Sequence, residues 1–586
     1  MKRFREEYFE YLGVVALWIL IFGKNVFSNL FFVDYVPARA GYLENMLVAG
    51  DFTGSINVVN LLRELFGIIG IERLFFSFMI LFGMLVSYYF ISALIKRFPK
   101  SLIAKLDDAA ELRGIKPNLL IKGKKRMLFA LIFFFNPFVY TRLMIGQLGI
   151  LIAYFLMPMF LYYLFKMFEE DMDYKSVLKV AVSISLIGQT TAHFFVLCFL
   201  MFFLGIFWFY QKEKGNARYL KILGVFLLLI FLLNLHWIQG LFSGGILGEI
   251  NEDHEDFFSP KQSLGVSAFA KVIGMWGFWR EAAYESSYKL MPLGLWYFLL
   301  ALLFSLLLMG YYSDNKDKKS KFFYSLFWIG LILGVGISHP YTGKIFRILF
   351  ENVPLFNGFR DSHKFVAFIA LAYAYFIPIA VEKINEKLIR KRGKIFALVF
   401  TILVVLLVIG SSFVLIGLHG QVKNTEYPES YFALNEFLNG LDLQGKLIYL
   451  PWESYLSYNW TREASSDGRI AVFANEFMDK EVIEGPDEYG GNNDFRREVS
   501  GCLEIKNKSC LKEIGVEYVL EDKCAVYSER YDWFEGERKF ESECVDVYYI
   551  GGVAEKKEIP GRFLISLFVS VSAFVYSIFV ILRRGF

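Results

Sequence analysis

The chain is poor in the residues and motifs on which most soluble enzymes build their chemistry. It holds 6 His and 5 Cys among 586 residues. It has no Walker loop, no GxGxxG after a strand, no GxSxG and no HExxH, so ATP-driven transport and zinc proteolysis lose support. No CxxC pair is present, and a zinc site is not expected. Glutamine is scarce beside abundant Lys and Glu, a bias towards thermophile composition. No internal repeat and no low-complexity tract stands out. No small-residue cleavage site follows the basic start Met1-Lys2-Arg3-Phe4-Arg5, so the apolar run from Tyr11 reads as an uncleaved first span.

What the chain does have is apolar surface. It is 56% hydrophobic and 18% aromatic, with 64 Phe. These residues cluster in runs of about 17 to 24, the length that crosses a bilayer as helix. Further runs begin near Arg73, Met127, Leu148, Val177, Phe194, Ile222, Met291, Phe322, Lys364, Ile395 and Arg562. The expected fold is therefore mainly α, a polytopic transmembrane bundle of about twelve spans. The runs between Val177 and Tyr210 read either as a pair or as one long kinked segment.

Charge sets the expected orientation. Basic residues fill alternate short loops: Lys96 to Lys100, Lys122 to Arg126, Lys212 to Arg218, Lys316 to Lys319, Arg390 to Arg392, and Arg583-Arg584. The opposite loops are acidic or mixed. The positive-inside rule then puts both termini in the cytoplasm of a multi-pass cell-membrane protein, with residues 419–560 extracytoplasmic. That stretch carries roughly half of all the carboxylates.

The same stretch reads as an α/β domain. Pro428 to Leu438 has helical spacing, Lys446 to Leu450 reads as a buried strand, and Val516 to Leu520 and Val545 to Ile550 alternate as strands do. Cys502, Cys510, Cys524 and Cys544 all lie here, an even number that suggests two disulfides in an oxidising compartment. Sequence neighbours suggest Cys502–Cys510 and Cys524–Cys544, among three possible connectivities. Two sequons, at Asn459 and Asn507, agree with an external location. Cys198, alone in an apolar run, reads as a small buried hydrophobe. The expected division is a membrane module over 1–418, the α/β domain over 419–560 and a final helix over 561–586.

Polar residues gather at the outer ends of the spans. Asp34 ends the first one, in Phe31-Phe32-Val33-Asp34-Tyr35-Val36-Pro37-Ala38-Arg39. It reads as a base for an acceptor hydroxyl or as a solvated helix cap. An amphipathic stretch follows from Val58 to Ile69, suited to the membrane surface. Asn136-Pro137-Phe138 leads to Arg142 and to Gly146-Gln147. Gln189 and His193 sit in Gly188-Gln189-Thr190-Thr191-Ala192-His193, and His236 closes the seventh span. Such groups face a bundle interior or a wet cavity, or hydrogen-bond between helices. Densest is Phe359-Arg360-Asp361-Ser362-His363-Lys364-Phe365, with His339, Lys344 and Arg347 before it. Cations at an outer boundary suggest an anion to be met, a lipid phosphate first. An Arg360–Asp361 or Lys364–Asp361 surface pair is the plainer reading. The acidic run Asn251 to Asp256 reads as a solvated loop or a divalent-metal site. Met275 to Arg280 reads as a sugar-stacking strip or an interfacial belt.

A cytoplasmic start, an acidic residue after the first span, a long first outer loop, many spans and a late outer domain together resemble the GT-C superfamily of membrane glycosyltransferases. The Asn136-Pro137-Phe138, Gly146-Gln147 and Phe359-to-Phe365 segments are similar to its arabinofuranosyltransferase-like branch, as are Lys446–Pro451 and Ile514 to Val519. The WWDYG motif of oligosaccharyltransferases is absent, which argues against protein N-glycosylation. The resemblance implies an inverting transfer of sugar from a polyprenyl-phosphate donor to a glycan or glycolipid acceptor. Asp34 would be the catalytic base. Arg360, Lys364, His363 and Arg142 would hold the donor phosphate. Arg39, Gln147, Gln189, His193 and His236 would line the pocket on the acceptor side. No cofactor is fixed by this reading; a divalent Mg or Mn ion is the one candidate, with no ligands assigned. Membrane lipid, lipid-linked sugar and acceptor are the implied partners, and nucleic acid is not. The competing class is a lipid or polysaccharide transporter, or a non-catalytic scaffold. Transporters pair broken helices in matching halves, and no such pairing is legible.

Overall fold

In a computed structural model, the chain is described apart from residues 1, 40–57, 97–118, 171, 211–215, 244–255, 355, 463–467, 487–493, 532, 535, 555–560 and 584–586. The acidic run before Asp256 lies outside the described residues. Helix α1 spans Lys2–Phe22, the amphipathic α2 Val58–Ile68 and α3 Glu72–Lys96. Then come α4 (Leu119–Phe134), α5 (Pro137–Ile145), α6 (Leu148–Glu169), α7 (Tyr174–Gly188), α8 (Ala192–Phe209) and α9 (Asn216–Ser243). The bundle continues with α10 (Leu293–Asp314), α11 (Lys318–Gly334), α12 (Pro340–Asn352), α13 (Val366–Arg392) and α14 (Lys394–Ser411).

Among the described residues, 9 helices are long and apolar enough to cross a membrane, or 10 when the bent pair α4–α5 counts as one. The protein is a multi-pass membrane protein. Three runs read as spans from the sequence behave differently. The Met127 run breaks by 41° between α4 and α5. The Val177 run gives α7, of 15 residues, and the Phe322 run gives α11, of 17. Asp173 and Asp317 cap the first turns of α7 and α11 and fix where each begins. The Val177–Tyr210 stretch resolves into two helices, α7 and α8.

Helix α13 is the axis of the bundle, packed by α4, α10, α11 and α14. Lipid tails are as apolar as Leu, so close approach and hydrogen bonds hold such helices together. Gly310 on α10 shows the first device: a Cβ there would lie 2.2 Å from the Phe376 carbonyl oxygen. Asn234–Ser185, Asn385–Thr401 and Gln239–Ser566 bonds of 2.7 to 2.9 Å show the second. The last of these ties α9 to the terminal helix (Gly561–Leu582).

The α/β domain starts with α15 (Glu429–Asn439). Its strands are β1 (Lys446–Leu450), β2 (Tyr455–Ser457), β3 (Arg469–Ala471), β4 (Val516–Asp522), β5 (Glu537–Glu541) and β6 (Val545–Tyr549). One sheet has the order β1-β4-β6-β5, with β1 parallel to β4 and the other pairs antiparallel; β2 and β3 form a separate antiparallel ribbon. The pleat sends Leu447 and Tyr449 of β1 into one core and Ile448 and Leu450 into another. Disulfides join Cys502 to Cys510 and Cys524 to Cys544, and Cys198 is free and buried.

Candidate functional site at the membrane boundary

The site begins with a break in a helix. Asn136 stops α4 and caps α5: its Oδ1 accepts from the Val139 amide at 3.0 Å, and Pro137 follows at the first helical position. Gly146 ends α5 in the left-handed conformation at φ +83. A Cβ at Gly146 would sit 2.5 Å from the Phe32 Cβ and 2.9 Å from the Tyr35 Cβ. The turn bearing Asp34 is pressed onto this glycine, and the Asp34 amide donates to the Ile145 carbonyl at 2.7 Å.

From that contact a chain of polar side chains runs inward. Gln147 Nε2 donates to Asp34 Oδ2 at 2.9 Å, while Gln147 Oε1 accepts from Arg142 Nη1 at 2.5 Å. Arg142 is completely buried. Its Nη1 also donates to Asp361 Oδ2 at 2.8 Å, its Nη2 meets His363 Nδ1 at 3.1 Å, and the guanidinium lies 4.3 Å above the Phe278 ring. Asp361 Oδ2 is 3.7 Å from Lys364 Nζ. Lys364 Nζ lies 3.2 Å from His193 Nε2, and that nitrogen is 2.8 Å from the Gly358 carbonyl oxygen. Thr191 Oγ1 is 3.1 Å from His193 Nδ1. A carbonyl can only accept, so Nε2 carries the proton and donates a hydrogen bond to the Gly358 oxygen. Lys364 therefore cannot donate to His193, and Asp361 and the cavity are left to its ammonium.

Asp34, Gln147, Thr190, Thr191, His193 and Lys364 line one cavity of about 370 Å³. Its far wall is α2, which contributes Val59, Asn60 and Arg63. The opposite face of α2 exposes Val58, Leu61, Leu65 and Ile68, the pattern of a helix lying on an apolar surface. Asp34 is reachable through the cavity yet set deep among protein atoms. Withdrawal from bulk water raises its pKa above the ordinary carboxylate value. The Gln147 hydrogen bond, the Arg280 charge, a hydrogen bond from Tyr455 and the Arg142 charge pull it back, in that order.

Other residues singled out in the sequence do not line this cavity. Arg360 stacks over Phe258 at 5.0 Å. Arg39 lies over Phe477 and Phe432 on the α/β domain, at 5.0 and 5.4 Å. His236 is buried where α9 meets the terminal helix, its amide on Ser570 Oγ. Gln189 is buried just past α7. Arg142 and His363 stand one layer behind the cavity wall. In the 275–280 strip, Trp276 is core, Phe278 carries Arg142, and Arg280 supplies charge to Asp34. Sequence reasoning missed Arg63, Asn60 and Tyr455. The polar face of the amphipathic Val58–Ile69 stretch was a signal for the first two. A short strand far along the chain gave none for Tyr455.

Among the described residues no three His, Cys, Asp or Glu side chains converge as metal ligands. Among the described residues the cavity is lined by one carboxylate, that of Asp34, already bonded by Gln147 and Tyr455 and faced by two arginine charges. No step below is routed through a metal ion.

The bundle with its late α/β domain is a GT-C-like fold. Neither a scan against family models nor a search of curated protein sequences returns a match. Solved structures do match. The arabinofuranosyltransferase AftD from Mycobacteria superposes with a TM-score of 0.58 over 94% of this chain at 13% identity, and a mutant of it with 0.57. This chain spans 40% of the AftD chain's length. The apo Archaeoglobus fulgidus oligosaccharyltransferase follows at a TM-score of 0.46 and 13% identity, covering 89% of this chain and 69% of its own.

Proposed function

We propose that this protein is a membrane glycosyltransferase that moves a sugar from a polyprenyl-phosphate donor to a glycan or glycolipid acceptor, with inversion, on the extracytoplasmic face. The observation that carries the reading is the shared cavity. Among the described residues, the Asp34 carboxylate and the Lys364 ammonium line it together, and the Gln147–Arg142–Asp361 chain fixes both. In the transfer, the acceptor oxygen forms the new bond to the anomeric carbon as its proton passes to Asp34. The bond from that carbon to the phosphate oxygen breaks, and its electron pair leaves on the phosphate. The leaving group is already anionic, so a cation rather than an acid stabilises it. Lys364 takes that role, with Arg63 across the cavity and Arg142 adding field from behind. Asp361 sets the position of Lys364, and His363 that of Arg142. Arg360, Arg39, Gln189 and His236 are assigned no step, since none lines the cavity.

The orientation follows from the basic loops. Cysteine-accessibility labelling in Lys122–Arg126 and in 419–560 should come from opposite sides. The test of activity is a screen of polyprenyl-phosphate sugars with the purified protein. Wild type should transfer at least one sugar. Asp34→Asn should lose about 10²- to 10⁴-fold in turnover, the usual share of a general base, while donor binding persists. Full turnover in Asp34→Asn removes the assignment of the base. Donor binding without transfer across the whole panel favours the transporter or scaffold reading.

A further inference from the structure

The turn that carries Asp34 is gripped from two sides. The membrane bundle holds it through Ile145, Gly146 and Gln147, and the α/β domain holds the other side. Phe31 and Val36, which flank the turn, belong to the core of that domain. Phe31 packs on Tyr427 and Trp460 at ring distances of 4.9 and 5.4 Å. The Ala471 amide of β3 donates to the Val33 carbonyl at 2.8 Å, and the Arg39 amide to the Glu476 carbonyl at 2.8 Å. The turn thus lies along the edge of the β2–β3 ribbon.

Tyr455 opens that ribbon, paired with Ala471. Its ring packs against the hydrophobic core of the membrane bundle rather than that of its own domain. Its hydroxyl hydrogen-bonds the Asp34 carboxylate. Arg469 braces it from behind: Nε donates to the Tyr455 carbonyl at 3.3 Å, and the guanidinium lies 5.9 Å from the ring. Asp34 therefore takes a hydrogen bond from Gln147 of the bundle and another from the α/β domain.

We propose that Tyr455 is a positioning residue for Asp34, so that the site is complete only while the α/β domain is seated on the bundle. This deepens the transferase reading and rests on it for its kinetic arm alone. A hydroxyl donated to a carboxylate fixes its rotation and favours its charged form. An acceptor proton can then reach an oxygen already aimed into the cavity. The α/β domain becomes a working part of the site, and any partner or glycan that lifts the β2–β3 ribbon turns the base away.

The test uses the full chain in detergent or nanodiscs with Tyr455→Phe, which keeps the ring and removes the donor. The first readout needs no turnover. Carbodiimide modifies protonated carboxyls, and peptide mapping follows the Asp34-bearing peptide against pH. The midpoint should move to higher pH in the variant. Incorporation of 3-fluorotyrosine at 455, a stronger donor of nearly the same shape, should move it lower, and it serves if the Phe variant does not fold. In the kinetic arm, kcat should fall about tenfold or more, the factor for a hydrogen bond to a charged group, with its acid limb moved up and KM little changed. An unmoved labelling midpoint in both variants overturns the proposal whatever the kinetics. A wild type that transfers no sugar overturns the transferase reading, and the labelling midpoint still decides the role of Tyr455.

Discussion

Two buried aspartates, one in each half of the molecule, meet the same problem in opposite ways. Asp361, at the membrane boundary, has the charges of Arg142 and Lys364 beside it. Burial pushes its pKa up, and those two cations more than offset the push and hold it below the ordinary value. Asp522, in the α/β domain, has no cation among its hydrogen-bond partners. It accepts from Tyr431 and Tyr449 and from the amides of Cys524 and Ala525. Burial wins there, and its pKa rises to about 6. Burial alone does not decide the charge of a carboxylate; the charge of its donors does. The bundle stakes its site on a permanent ion pair, and the α/β domain on a group that titrates.

The comparison breaks most sharply at Arg142. Arg142→Met removes the hydrogen-bonded partner of buried Asp361, leaves it only the Lys364 ammonium at 3.7 Å, and should cost about 3 to 5 kcal/mol. Thermal unfolding of the detergent-solubilised protein would show it as a large drop in Tm. A drop in Tm no larger than a surface substitution gives would mean that the pair does not carry the site.

The next effect belongs to Asp522, and its sign is opposite to that of a salt-bridged aspartate. Its folded pKa of about 6 lies above the ordinary 3.8. The folded state binds the proton more tightly, so stability is greatest below the unfolded pKa and falls as pH rises towards 6. The loss amounts to about 3 kcal/mol. Melting curves of the α/β domain signal between pH 4 and 7 should show it, and Asp522→Asn should flatten the slope.

The smallest effect is at Gly146. Gly146→Ala places a methyl against the Asp34 turn at an unfavourable φ and should cost about 1 to 3 kcal/mol. Because the strain is local, turnover should fall further than Tm.

Where the cause of a structure is local, the sequence carried it. Lys446 to Leu450 forms the strand read from its apolar run, and Glu429–Asn439 the helix read from its spacing. The two disulfides join sequence neighbours. Asn136, Pro137 and Gly146 punctuate α5 as such residues do. Where the cause is tertiary, the sequence was silent or ambiguous. Arg360 and Lys364 look equivalent in one short run, yet only Lys364 turns into the cavity, since Arg360 is taken up by Phe258. Tyr455 reaches Asp34 only because the β2–β3 ribbon folds back onto the bundle. The short α7 and α11 are apolar enough to read as spans, and their aspartate caps, legible only in retrospect, trim them.

The contact between Gly146 and Phe32 also works as a sorting rule. No side chain fits at this position without displacing the acidic turn, whatever else changes around it. A chain of the same architecture that carries Ser, Ala or anything larger there must place its acidic residue by another route. That single position separates chains able to build this cavity from those that share only the bundle.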